Sequence, residues 1–157
     1  MDSSKRLAAI AAILNELGIE ADLDSHDSRL QMQKSIYLAQ AAGLDLGYRF
    51  NWYVRGPYSP NLADDYYEAF RDPDFAGTYI ASQDLRNRLQ GVKNAIGSSP
   101  SSATTTEWLE ALASVDFIRR VQRKRSLEEA RKKFEAEKPK LVRFFDQAFE
   151  TSTSLGS

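Results

Sequence analysis

His26 is the single histidine among 157 residues, and there is no cysteine. Those two counts exclude disulfides, thiol nucleophiles, Ser-His-Asp relays and His–His metal sites. What remains for a reaction is carboxylate, lysine or tyrosine chemistry. The carboxylates do not converge. Asp64 and Asp65 are adjacent on a predicted helix, so their side chains point about 100° apart. Their plainer reading is negative charge near the positive end of that helix. Glu16, Glu20, Asp22, Asp24 and Asp27 are dispersed and lack the glycine and spacing of a calcium loop. No cofactor and no metal are implied, and an enzyme ranks behind two binding readings.

The segment with the most constrained residue types is Arg55-Gly56-Pro57-Tyr58-Ser59-Pro60. Gly56 is free to take a positive φ, and Pro57 fixes the next φ. Ser59 can cap a helix whose first position is Pro60. That helix is predicted to run through Leu62 to about Phe70. The turn has one glycine and no Gly-Lys-Ser/Thr, so it can receive an anion at the helix start but is not a nucleotide loop. Before it, Tyr48, Phe50, Trp52 and Val54 alternate with polar residues, the period of a half-buried strand.

Stepping outward, Leu7, Ile10, Ala11, Leu14 and Leu17 form the apolar stripe of a first helix, capped at Ser3 or Ser4 and stopped at Gly18. A second helix is predicted from Asp27 or Ser28 to Gly43, apolar on most sides and therefore central. Gln33, Lys34 and Gln40 are its polar exceptions. The glutamines, two turns apart, can bind the turn's backbone or meet water. Lys34 can pair with an acid or lie on the surface with its stem over apolar residues. Thr78–Ile80 can pair with the 48–54 strand. Ser82 caps a fourth helix, and 97–106 reads as a flexible linker. Thr104 with Glu107, and Ser126 with Glu129, have capping-box spacing. Pro139 ends the sixth helix and starts the last, and 151–157 reads as a flexible tail.

These elements predict a mostly α (α+β) fold, a bundle of about six to seven helices with one small β-hairpin or short sheet. One globular domain over 1–150 is expected, with an N-terminal part (1–96) and C-terminal helices (107–150). Hydrophobic residues at 42% and charged residues at 27% suit a folded protein rather than a disordered one. The net charge of −1 supplies no general basic field. There is no apolar run near 18 residues and no secretory h-region, so a cytoplasmic protein with no membrane partner is expected.

Two surfaces suit binding. Tyr37, Tyr48, Tyr53 and Tyr58 near Arg55 make an aromatic region suited to protein contact. The predicted protein-binding set is Lys34, Tyr37, Arg55, Gly56, Pro57, Tyr58 and Ser59. The alternative surface is the basic run Arg119, Arg120, Arg123, Lys124, Arg125, Arg131, Lys132 and Lys133, which can neutralise phosphates of a nucleic acid. Its plainer reading is a solvated helix end compensated by acids elsewhere. Self-association stays open.

Gln33-Lys34-Ser35-Ile36-Tyr37-Leu38-Ala39-Gln40, then Phe50 and Tyr53, then Gly56-Pro57-Tyr58-Ser59-Pro60 with Leu62 and Asp65, resembles the YwgA-like bacterial and archaeal proteins. It is similar, more distantly, to the Panacea antitoxin domain. Trp108–Ala113 and Lys138-Pro139 extend the YwgA-like pattern, so the resemblance spans about 28–149. It implies a small, mostly helical fold. The Panacea side implies toxin neutralisation by protein contact, or a proteolytic adapter. The partner implied is a toxin or a defence or mobile-element protein. Neither family supplies catalytic residues to carry over.

Overall fold

The computed structural model describes residues 2–155. Among them are seven α-helices and one two-stranded sheet: α1 (Ser3–Leu17), α2 (His26–Ala41), β1 (Asn51–Tyr53), β2 (Gly56–Tyr58), α3 (Pro60–Phe70), α4 (Gln83–Gly97), α5 (Thr105–Arg120), α6 (Leu127–Glu137) and α7 (Phe145–Ser154). Short 3-10 turns cover Phe75–Gly77 and Pro139–Phe144. The mostly α bundle with a small hairpin is the fold that the helical and alternating periods predict.

Helix α5 is the axis of the molecule. It packs most extensively on α7 and α2, and also meets α6 and β2. Every residue from Trp108 to Ile118 is buried. Trp108 is wholly enclosed and satisfies its indole N–H on the Ala95 carbonyl at 3.0 Å. Helix α2, expected to be central, is buried without a break from Met32 to Ala39 and packs on α5, α1, α4 and β2. Three of its polar residues, Gln33, Lys34 and Ser35, are as buried as its apolar ones.

The helix starts follow local chemistry. Ser59, Ser82 and Ser126 each accept a hydrogen bond from a first-turn N–H of the helix they cap. Thr104 and Glu107 form the complete reciprocal box. Two starts differ from expectation. Asp2 caps α1 in place of Ser3 or Ser4, and Ser25 caps α2, so Asp27 and Ser28 lie inside it. In both cases the residue one or two positions upstream also carries a short acceptor side chain, and the chain took the longer helix.

The strand prediction needs correction. Regular pairing covers only Asn51–Tyr53, and the partner is Gly56–Tyr58 with Tyr53 opposite Gly56, not Thr78–Ile80. A two-residue connection closes with far less entropy than one of some twenty residues. Thr78–Ile80 has no strand pairing, and Ile80 is exposed. Val54 breaks the alternation because it sits at the hairpin tip. Thr105 and Thr106, assigned to the linker, are the first turn of α5. The expected tail is also corrected up to Leu155. Residues through Ser154 are helical, Ser152 and Leu155 are buried, and Arg120 donates to the Leu155 carbonyl at 2.7 Å. Gly156 and Ser157 lie outside the described residues.

Candidate functional site

The hairpin is held to α2 by side chains rather than by further strands. Gln33 accepts from the Ser59 N–H and donates to the Ser59 carbonyl, both at 2.9 Å. Two turns along, Gln40 accepts from the Tyr48 N–H at 2.9 Å and donates to its carbonyl at 3.0 Å. Each amide imitates one rung of a β-ladder, and an isolated hairpin of this length needs such support. Between them Lys34 donates to the Pro57 carbonyl at 2.5 Å. Lys34 is 1% exposed, so it is neither a surface lysine nor a cover for apolar neighbours.

Gly56 takes φ +94° and is buried. A Cβ there would stand 2.4 Å from the Ser114 Oγ of α5 and 3.7 Å from Lys34 Nζ. The glycine is therefore required twice, by backbone sign and by the approach of α5. Pro57 is buried opposite Trp52, and Ser59 is fully buried as the cap of α3. These residues of the predicted binding set are structural. Tyr37 is structural too: its hydroxyl donates to Asp116 at 2.8 Å and its ring packs edge-on to Phe50. It does not reach the hairpin surface.

Beside the hairpin lies a cleft of about 360 Å³. Its buried part is made by Leu30, Gln33, Lys34, Gly56 and Tyr66. Tyr58 is half-buried, and its ring meets Tyr53 edge-on at 5.2 Å. Tyr53 and Tyr67 are 45% and 47% exposed at the mouth, and Val54 at the tip is 90% exposed. His26, Arg29 and Arg55 complete the lining, which contains no acidic residue. Lys34, Arg55, Gly56 and Tyr58 are thus brought together as expected, while Tyr37, Pro57 and Ser59 stand behind them.

Behind the cleft, two cations share one carboxylate, with the Lys34 amine nearby. Glu110 on α5 is buried and accepts from Arg55 Nε at 2.8 Å and Lys138 Nζ at 3.0 Å. Lys138, at the end of α6, also donates to the Val54 carbonyl. Burial pulls the Lys34 ammonium down to about 7; Glu110 opposes this, while Lys138 and Arg55 add to it. Burial also pushes Tyr66 up to about 12 and raises Tyr58.

Sequence reasoning missed Glu110 and Lys138. The available signal was an acid inside the apolar run Trp108–Ile118, which must find a cation or hydrogen-bond donors once buried. The same signal marks Asp116, which holds Tyr37, Ser152 and Arg120. Asp65 is likewise corrected. It is buried between Arg6 at 2.8 Å and Tyr48 at 2.6 Å, so it anchors α1 to α3 rather than complementing a dipole. Asp64 points elsewhere and is exposed, as the helical angle requires.

Half of the basic run is paired within the fold. Arg119 donates to Ser152 at 2.9 Å, Arg120 is paired with Asp116, Arg131 with Glu135 and Asp146, and Lys133 with Glu137. Arg123, Lys124, Arg125 and Lys132 are exposed. Arg123, at φ +61°, turns the chain out of α5. Among the described residues, no three His, Asp or Glu groups are placed to hold a metal ion.

The buried amine makes stability pH-dependent with a definite sign. The unfolded chain holds the Lys34 proton up to its ordinary value of 10.5, whereas the folded chain releases it near 7. The unfolded state therefore binds more protons between those values, and this group's contribution to stability rises with pH across them. Tyr66 opposes it at higher pH, since the unfolded phenol ionises from about 10 and the folded one only from about 12. Urea unfolding from pH 6.5 to 9.5 should show a rise that is absent in Lys34→Met. An equal rise in the variant would remove Lys34 as its source.

No protein-family model, curated protein or solved structure matches the chain. Among the described residues no helix is long and apolar enough to cross a membrane.

Proposed function

We propose that this chain is a non-enzymatic protein-binding regulator acting in the cytoplasm, with its contact surface at the hairpin tip and the tyrosine-lined cleft. The observation that carries this reading is the placement of Tyr53, Val54 and Tyr67. All three are exposed around one concavity, next to Arg55, while Trp108 and Phe117 of α5 and Phe145 of α7 are buried. Tyrosine and arginine around a pocket are the composition of an interface hot spot. The resemblance of the 33–40 helix and the 56–60 turn to YwgA-like and Panacea proteins supports an antitoxin-like role, or service as an accessory to a mobile-element or defence system.

One observation favours an enzyme: a cleft that holds a lysine shifted toward neutrality. Against it, Tyr58 and Tyr66 move away from neutrality, so neither is tuned to exchange protons with Lys34.

The test is affinity capture from the native host at two salt concentrations, with and without nuclease, using the wild type and Val54→Asp. Val54 is 90% exposed, so its replacement is expected to leave the fold intact. A single dominant protein, resistant to nuclease and salt and reduced at least about tenfold by Val54→Asp, is the expected result. Nucleic acid lost at higher salt, unaffected by Val54→Asp, would replace this reading with one based on Arg123, Lys124, Arg125 and Lys132.

A further inference from the structure

The cleft and the cluster behind it share a charge imbalance. Arg55 and Lys138 both pair with the single carboxylate of Glu110, the Lys34 amine lies close enough to be influenced by all three, and Lys34 and Lys138 are almost fully buried. Toward solvent, the imbalance grows. Arg29 on α2 joins Lys34 and Arg55 in the lining, which itself holds no acid, although Asp64 of α3 is close enough to act on Tyr58. This is a local property, since the chain as a whole carries −1. Buried like charges in a low-dielectric site repel and favour an added anion.

The walls restrict what can carry that anion. Tyr53, Tyr58, Tyr66 and Tyr67 line the approach with ring surface, and Leu30 adds to it. A volume of about 360 Å³ is at the small end for ligand sites and suits one or two side chains. The exposed tip residues Tyr53 and Val54 extend the apolar surface beyond the cleft.

We propose that the cleft is the receptor for an acidic segment of a partner protein, with one Asp or Glu side chain entering over Lys34 and supplying the negative charge the cluster lacks. This rests on the reading of the cleft as a protein-binding face and assigns the chemistry of what it binds.

The insertion is coupled to a proton. The charged groups facing Lys34 are Glu110 from α5, Arg55 from the hairpin turn and Lys138 from the end of α6. In the cleft it is accompanied by His26 and Arg29 of its own helix and by Tyr58 and Tyr66. Above pH 7 the free amine is largely neutral. A carboxylate placed against it favours the ammonium, so binding takes up a proton and affinity falls as pH rises from 6.5 to 8.5.

The experiment is selection of a random 12-residue peptide library, displayed on phage as internal segments, against the full chain. Selected peptides should share one Asp or Glu flanked by apolar or aromatic residues. For a synthesised winner, replacing that acid by its amide should weaken binding at least tenfold. Lys34→Met should do the same, and the two changes together should cost little more than either. Calorimetry at pH 8 in two buffers of different ionisation enthalpy should show uptake approaching one proton, retained in His26→Asn and absent in Lys34→Met. If Lys34→Met does not fold, the peptide exchange and the two-buffer measurement decide alone. Winners without an acid that are still lost with Val54→Asp would overturn the acidic assignment and leave the protein-binding reading standing. A library with no winners overturns the assignment too, while capture from the host tests the broader reading separately. Binding of the winner without proton uptake at pH 8 removes Lys34 from the contact.

Discussion

Gly56→Ala should destabilise the protein by about 2–5 kcal/mol, the sum of two separable effects. The first is conformational. At φ +94° an L-residue is strained by roughly 1–2 kcal/mol. The second is steric. The new methyl would lie 2.4 Å from Ser114 Oγ, on the most enclosed helix of the bundle, and overpacking of that kind costs about 1–3 kcal/mol. Ser114→Ala separates them. The Ser114 hydroxyl is buried with no hydrogen-bond partner among the described residues, so its removal alone should be neutral or slightly stabilising. With the oxygen gone, the nearest Ser114 atom to the new methyl is its Cβ at 3.7 Å, an ordinary contact. The double variant should therefore recover the steric part and keep the conformational part. Urea unfolding of the four proteins reads this directly. A double variant as unstable as Gly56→Ala would mean that the clash is relieved elsewhere and that backbone strain is the whole effect.

The second large effect is expected at Glu110. Glu110→Ala leaves Lys138 and Arg55 without their carboxylate beside Lys34, in a site that water reaches poorly. Removing one partner of a buried pair costs about 3–5 kcal/mol, because the remaining charge stays desolvated. Adding Lys138→Met should restore part of that loss, since it withdraws the stranded ammonium and replaces it with an apolar chain of similar length. Arg55→Ala should be mild, below about 1 kcal/mol, because Arg55 is half-exposed and Glu110 keeps Lys138. Chemical unfolding at pH 7 measures all three. A loss below about 1 kcal/mol for Glu110→Ala would show that the cluster is solvated and would also remove the basis for the charge imbalance. The mildness of Arg55→Ala matters for function: it permits Arg55 to be tested in binding without disturbing the hairpin.

Much of the helical framework was legible because capping is local. Thr104 and Glu107 lie within one turn of each other, so their reciprocal bonds can be read from spacing. Gly18 after the Leu7–Leu17 stripe, and Ser59-Pro60 after the turn, are legible for the same reason. The alternation of Tyr48, Phe50 and Trp52 identified the exposed and inward faces of the segment, but not which stretch would pair with it. Pairing depends on the entropy of closing the loop and on what α2 and α5 leave uncovered.

The site was legible only as a set of residue types. Gln33, Lys34, Gly56 and Tyr58 stand out in the chain because their types are unusual where they occur. Whether such a lysine is exposed or enclosed depends on groups 23 and 76 residues away, the Pro57 carbonyl and Glu110. The basic run shows the same limit in reverse. Read along the chain it is a block of charge; folded, Arg119 and Arg120 are spent on Ser152 and Asp116, and only part of the block faces solvent.

By itself, then, the sequence determined what is settled within a few residues: helix starts and stops, the constrained corner at Gly56-Pro57, and the absence of thiol and paired-histidine chemistry. The tertiary structure decided what each charge means. Desolvation and pairing are set by neighbours brought together across the fold, and those turn Lys34 from a possible surface residue into a buried amine at the base of a cleft.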